Sequence, residues 1–323
     1  MPEVVEQVVA RRSPLDDVHR RLGATMFERD GWLLPASYSD VAAEYRAVRG
    51  DGAGLIDFSS RGRVRVSGAE AVQFLNGLVT NDVKALGLNE WMTAAFPNAQ
   101  GRLLAFARVI HQDDGFLFDT EAATAERVFK TLERFTLAGD FRVAEMANEL
   151  ALLSLQGARA SAILGATLGE EAGAVERSRV RVARWQEQPL SVIRATHTGE
   201  DGFDLFVGAE HAASLFEALR EAGAHPVGFE ALETLRIEAG QPRHNVDMDE
   251  SNVVLETGLD EAISYTKGCY IGQEIIARIH WRGHVAKRLA GLSFEDGSEV
   301  STGAKVRTPD GKEIGRVTSS AFS

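Results

Sequence analysis

Asp114-Gly115-Phe116, with Phe129 and Leu132 downstream, returns 87 residues later as Asp201-Gly202-Phe203, with Phe216 and Leu219 at the same spacing. In both copies a turn leads into a short apolar run and then into apolar residues at helical intervals. Gln112-Asp113-Asp114-Gly115 sits between the apolar runs 103–110 and 116–118, a hairpin signal, and a helix is predicted over 122–135 with Val128, Phe129 and Leu132 inward. The second copy predicts a strand over 203–207 and a helix near 210–222 with Leu215, Phe216 and Leu219 inward. Two related α+β lobes are the economical fold class.

Working outward, Arg63 to Val66 alternates as a strand before Gly68, and 69–78 has helical periodicity. Strands are also expected over 151–155 and 190–195, and a helix over 229–239 stopped by Gly240 and Pro242. From about Arg288 short apolar runs alternate with the turns Asp296-Gly297 and Asp310-Gly311, which reads as a small β module. The expected division is a flexible tail over 1–13, a first lobe over 14–145, a second over 146–285 and a β segment over 286–323.

A length of 323 residues agrees with two or three units, and 44% apolar with 25% charged residues is an ordinary globular composition. The single cysteine excludes an intramolecular disulfide and a cysteine-built metal cage, and it fits a reducing cytoplasm. The first residues carry Glu3 and Glu6 without a continuous apolar core, and nowhere do 18 apolar residues run together, so no signal peptide or membrane span is expected. A net charge of -12 argues against nucleic-acid binding by the whole surface. Gly50-Asp51-Gly52-Ala53-Gly54 lacks the Gly-Lys-Ser/Thr ending of a phosphate loop, and no Gly-x-Ser-x-Gly elbow occurs. His280 and His284 stand four apart, but Trp281 and Gly283 between them do not support a metal helix.

The lone cysteine lies in Lys267-Gly268-Cys269-Tyr270-Ile271-Gly272-Gln273-Glu274. A nearby ammonium, backbone N–H groups and a helix start all favour thiolate, and Lys267 with the glycine turns supplies candidates for each. The alternative is a small buried hydrophobe, the usual fate of a free cysteine. From Ile275 to Ser293 the sequence carries Arg278, His280, Arg282, His284, Lys287 and Arg288. Such a stripe either attracts anions or is a solvated face balanced by Asp247, Asp249, Glu250, Glu256, Asp260 and Glu261 upstream.

The octet, continuing through Ile275-Ile276-Ala277-Arg278-Ile279-His280-Trp281-Arg282-Gly283-His284, resembles the signature of the YgfZ-type folate-binding proteins. These are relatives of the glycine-cleavage aminomethyltransferase, the T-protein, which the N-terminal part resembles through Asp17-Val18-His19, Gly54-Leu55-Ile56-Asp57, Leu78-Val79-Thr80-Asn81-Asp82 and, later, Leu235-Arg236-Ile237-Glu238-Ala239-Gly240. The resemblance runs from Ser13 to Ser323. It implies a three-domain aminomethyltransferase-like fold, two α/β lobes plus a C-terminal β-barrel module, around a hole that takes tetrahydrofolate or a one-carbon-substituted folate. This sequence stops where family members continue with further barrel strands, so an incomplete barrel is expected.

What the resemblance implies for the site is a pterin held by Glu238, whose carboxylate can accept two parallel N–H bonds, with Tyr270, Arg278 and Arg282 beside the folate. Cys269 and Lys267 become the candidate reactive pair, framed by Gly268, Gly272, Gln273 and Glu274 of the motif. The T-protein's essential aspartate follows an Asn-x-x-Gly-Gly segment; the match here is Asn98-Ala99-Gln100-Gly101-Arg102-Leu103-Leu104-Ala105-Phe106, and neither Ala105 nor Phe106 carries a carboxyl group. The implied function is therefore a tetrahydrofolate-binding accessory protein supporting iron–sulfur cluster assembly or repair, including iron–sulfur enzymes of tRNA modification. Its partners would be a reduced folate and iron–sulfur assembly factors or clients, with no membrane and no direct nucleic-acid contact. The alternatives are a folate-dependent aminomethyltransferase or other one-carbon transferase, and a scaffold that has lost its ligand.

Overall fold

The computed structural model describes residues 9–294, 298 and 300–323. The chain begins with β1 (Arg11–Arg12), α1 (Asp16–Arg21), the hairpin β2 (Thr25–Arg29) and β3 (Trp32–Ser37), α2 (Val41–Arg49) and β4 (Gly54–Asp57). Next come β5 (Gly62–Ser67), α3 (Ala71–Leu78), β6 (Trp91–Pro97), β7 (Leu103–Gln112), β8 (Gly115–Thr120), α4 (Ala125–Glu133) and β9 (Arg142–Glu145). The order then repeats as β10 (Leu150–Gln156), α5 (Ala160–Leu168), α6 (Glu170–Gly173), β11 (Val180–Trp185), β12 (Gln188–Arg194), β13 (Gly202–Gly208), α7 (Ala209–Glu221) and β14 (His225–Pro226). After α8 (Phe229–Glu238) and α9 (Gln273–Arg282), the chain closes with β15 (Lys305–Arg307) and β16 (Glu313–Arg316).

Two sheets carry the architecture, in the orders β6-β7-β8-β5-β9 and β11-β12-β13-β10-β4-β14. Their first four strands correspond one for one, so the repeated Asp-Gly-Phe stretches open equivalent strands, β8 and β13, at the centre of each sheet. The fifth place breaks the symmetry: β9 fills it in the first sheet, whereas β4 fills it in the second by pairing antiparallel with β10. The expected boundary between 145 and 146 therefore does not separate the lobes, because a strand from before the first lobe completes the second. Sequence spacing cannot disclose a non-local partner of this kind.

Strand periodicity explains the layers. In β8, Phe116 and Phe118 pack under α3 and α4, while Leu117 faces the other way. In β13, Phe203, Leu205 and Val207 pack with Leu215, Phe216 and Leu219 of α7, and Phe206 points away. Ile110 and Leu117 of the first sheet join Leu152, Ile193 and Phe206 of the second in one buried cluster. Each sheet thus covers one face with its own helices and uses the other against its twin, so its central strands read as continuous apolar runs.

The N-terminal segment is fixed to β4 by a buried polar cluster. Asp57 receives the hydroxyl of Ser13, His19 Nε2 at 2.8 Å and the Ser59 N–H at 2.8 Å, and Tyr38 contacts His19 Nδ1 at 2.8 Å. The C-terminal segment returns to the first lobe, where Met248, Val254, Ile263, Tyr270 and Ile276 pack against Ala95 and Leu103. The octet was expected with the second lobe; its apolar side chains fit the first. Over 286–323 the regular structure among the described residues is the β15–β16 hairpin, with Gly311 at φ 87° in its turn, and two strands do not close a barrel. The turn expected at Asp296-Gly297 lies outside the described residues.

Lys267 is the anchor of that return. Its Nζ donates to the carbonyls of Asn76, Val79 and Asn81 at 2.7, 2.8 and 2.6 Å, at the C-terminal end of α3 where a cation is favoured. Burial pulls its pKa down to about 8, so the ammonium persists at neutral pH. Gly272, at φ 80°, lets α9 start against the Asn98–Gly101 turn, where a Cβ would collide with the Asn98 carbonyl oxygen. Lys267→Met removes a charged donor from three carbonyls at once. It is expected to lower stability by roughly 3 kcal/mol, read as a reduced urea midpoint.

Candidate functional site

Three charges placed by strand alternation meet between the sheets. Arg108 on β7, Asp119 on β8 and Asp204 on β13 each occupy the face turned away from the helices, and all three are buried. Arg108 Nε donates to Asp119 at 2.7 Å, and its Nη1 pairs with Asp204 of the other lobe. Arg61 grips Asp119 with both Nε and Nη2, the latter at 2.7 Å, and His197 Nε2 lies 2.8 Å from Asp204. Burial alone would raise both carboxyl pKa values, but Arg108 and Arg61 hold Asp119 below the usual carboxylate range, and His197 with Arg108 does the same for Asp204.

Beside this network the lobes part around a cavity of about 770 Å³. Arg61, Arg108 and His197 form one wall, and Phe58, Trp91 and Phe106 supply aromatic surface. Phe58 meets the His197 ring edge-on at 4.6 Å between centroids. The loop from Arg194 to Gly202 forms another wall, held by two bonds from Arg194 to Asp201 at 2.8 and 2.9 Å and by the His197 N–H bonded to Gln156 Oε1 at 2.9 Å. Glu233, Arg236 and Arg243 line the α8 side, and Asp247 pairs with Arg236 behind them. Glu121 also faces the cavity, accepting the His244 N–H at 3.1 Å; burial raises its pKa against the pull of Arg61, Arg243 and Arg29.

The residues expected from the sequence occupy different places. Glu238 lies outside the cavity lining, and its carboxylate is engaged by the Tyr45 hydroxyl at 2.8 Å, Arg49 Nε at 2.9 Å and the Ser323 hydroxyl at 2.6 Å. Arg49 continues to Glu200, which does line the cavity, at 2.9 Å. Cys269 is exposed beside open space at Gly268 and outside the lining. Lys267 points inward to its carbonyls with Tyr270 packed at 5.0 Å from its Nζ. Glu274, Arg278 and Arg282 are exposed, and Gln273 half-buried, on α9, while Tyr265 stacks on His280 at 3.8 Å. The motif is therefore gathered in one region, and the cavity is built by other residues. Those residues carried a readable signal: Asp119 and Asp204 interrupt apolar strands, and a carboxylate buried there requires a partner.

The GCVT N-terminal domain family model matches residues 15–267. The aminomethyltransferase of Rubrobacter xylanophilus is 34% identical over 314 residues, spanning 97% of this chain and 84% of that protein. The aminomethyltransferase of Thermus thermophilus is 33% identical over 316 residues, spanning 97% and 88%. Among solved structures, the glycine cleavage system aminomethyltransferase T from Bartonella henselae superposes with a TM-score of 0.83 at 24% identity, covering 96% of this chain and 85% of that one, which establishes a shared α+β fold.

These full-length relatives overturn the expectation of an accessory protein for iron–sulfur cluster assembly or tRNA-modifying iron–sulfur enzymes. That expectation leaned on a Lys267–Cys269 pair and on the missing carboxylate at Ala105 or Phe106. Lys267 serves backbone carbonyls, and carboxylates enter the cavity from other positions. Among the described residues no helix is long and apolar enough to cross a membrane.

Asp119 and Asp204 titrate lower in the folded chain than in the unfolded one, so their contribution is complete above the ordinary aspartate value near pH 4 and is lost as pH falls below it. Arg108→Leu leaves both carboxylates without their shared partner. It is expected to destabilise the fold by about 3–5 kcal/mol at neutral pH, and the deficit measured by urea unfolding should shrink on acidification below about pH 4.

Proposed function

The chain belongs to the GCVT N-terminal domain family, and from that membership we propose that it is a folate-dependent aminomethyltransferase, or a one-carbon transferase of that kind, with its reduced folate in the cavity between the lobes. The cavity is the observation that carries this reading. Its volume of about 770 Å³ lies in the range of small-molecule sites, and its walls combine aromatic faces with convergent charges. Phe58, Trp91 and Phe106 offer flat surface to a pteridine or a benzoyl ring, the carboxylates can accept pterin N–H groups, and the arginines suit the carboxylates of the glutamate tail. Tetrahydrofolate or a one-carbon-substituted folate is the ligand in this proposal.

Within the family, the octet Lys267–Glu274 sets the chain beside the YgfZ-type folate-binding branch. We assign that segment to docking the C-terminal return on α3 and leave Cys269 outside the transfer step, since it is outside the cavity lining. Glu238 likewise serves to hold Tyr45 and Arg49.

Calorimetric titration with tetrahydrofolate tests the placement. Ala195→Trp, which fills the cavity wall, is expected to weaken binding at least tenfold, whereas Glu238→Ala and Cys269→Ala should stay within about threefold of wild type. Undiminished binding by A195W together with loss in E238A moves the ligand out of the cavity. An assay of aminomethyl transfer to the bound folate then tests the activity itself.

A further inference from the structure

Position 106, not 105, faces the cavity. Ala105 is fully buried among the residues under the helices of the first lobe, while Phe106, the next residue on β7, lines the cavity. The register of β7 with β8 pairs Ala107 with Thr120, and the Thr120 hydroxyl donates to the Phe106 carbonyl at 2.6 Å. Glu121 follows Thr120, the last residue of β8, and so comes directly after that pairing. Glu121 and Phe106, the one of the two candidate positions that faces the cavity, thus line the same space.

We propose that Glu121 is the proton-transferring residue of the one-carbon transfer, supplying from the turn after β8 the carboxyl group that β7 lacks. This rests on the function proposed above. As a folate nitrogen forms its bond to the methylene carbon of an aminomethyl donor, the bond from that carbon to the donor heteroatom breaks and its electron pair stays with the donor. The proton lost by the folate nitrogen passes to the Glu121 carboxylate and from there to the departing heteroatom, so charge and atoms balance without an oxidant or reductant.

The surroundings suit the task. Glu121 has no ion-pair partner within 4.0 Å among the described residues, unlike Asp119 two residues earlier, which two arginines occupy. Among the described residues its carboxylate accepts the His244 N–H, which accounts for part of its acceptor capacity. The charges acting on it come from Arg61 before β5, Arg29 on β2 and Arg243 after α8, while burial pushes its pKa upward.

The test is Glu121→Gln, close in shape and unable to take up a proton. At saturating tetrahydrofolate the variant is expected to transfer the one-carbon unit at least 100-fold more slowly and to lose the acidic limb of the wild-type rate–pH profile. Adding Phe106→Asp to E121Q, which returns a carboxylate from the neighbouring strand, should recover at least tenfold. An E121Q protein with wild-type rate and pH profile overturns the assignment and leaves the transferase reading intact. A wild-type chain that binds tetrahydrofolate and transfers nothing to it overturns both.

Discussion

One guanidinium, that of Arg108, joins the two halves of the molecule. It is buried between Asp119 of its own sheet and Asp204 of the other, where a cation or a carboxylate by itself would be too costly to keep. The arrangement has more acid than base at its centre, and Arg61 and His197 balance it from the cavity side. Every group is therefore fixed by another, and the face between the sheets has one favoured register. A shift of either sheet by one residue would turn its charged side chain toward the helices and present hydrocarbon to an unpaired ion.

The same register opens the cavity between the lobes. Below the charges, Ile110, Leu117, Leu152, Ile193 and Phe206 bring the sheets together in a dry contact. Around the charges the contact opens, because polar side chains need space and partners that aliphatic ones do not. The cavity walls are thus regular elements: strands β6 and β7, helix α8, and the loop after β12 cross-braced by Arg194 and Asp201. A site built on such elements is positioned before its ligand arrives, which reduces the ordering cost of binding.

Much of the fold was legible in the sequence. The 87-residue offset corresponds to two sheets with matching strand orders, and the Asp310-Gly311 turn forms its hairpin. The crossing of β4 was not legible, since the four residues Gly-Leu-Ile-Asp suit a buried strand of either sheet and only the three-dimensional partner decides. The site was less accessible. The resemblance points to a rare cysteine and to Glu238, and the cavity is formed by other, common residues whose signal is burial. Asp119 beside Phe118 and Asp204 beside Phe203 stood in plain view as charges within apolar strands. Ala105 and Phe106, the two candidate positions of the transferase pattern, face opposite layers, as adjacent strand residues do.

The borrowed strand β4 sets a timetable for folding. A ribosome releases Gly54–Asp57 long before Leu150–Gln156 exists to hydrogen-bond with it, and in the interval its apolar Leu55 and Ile56 have no sheet to enter. The first sheet is continuous in sequence and can form during that wait, but the second cannot be completed without a piece already synthesised. Nascent chains should consequently present a sticky amino-terminal segment to chaperones until the latter half emerges, and separate expression of the halves would strand that segment on the wrong fragment.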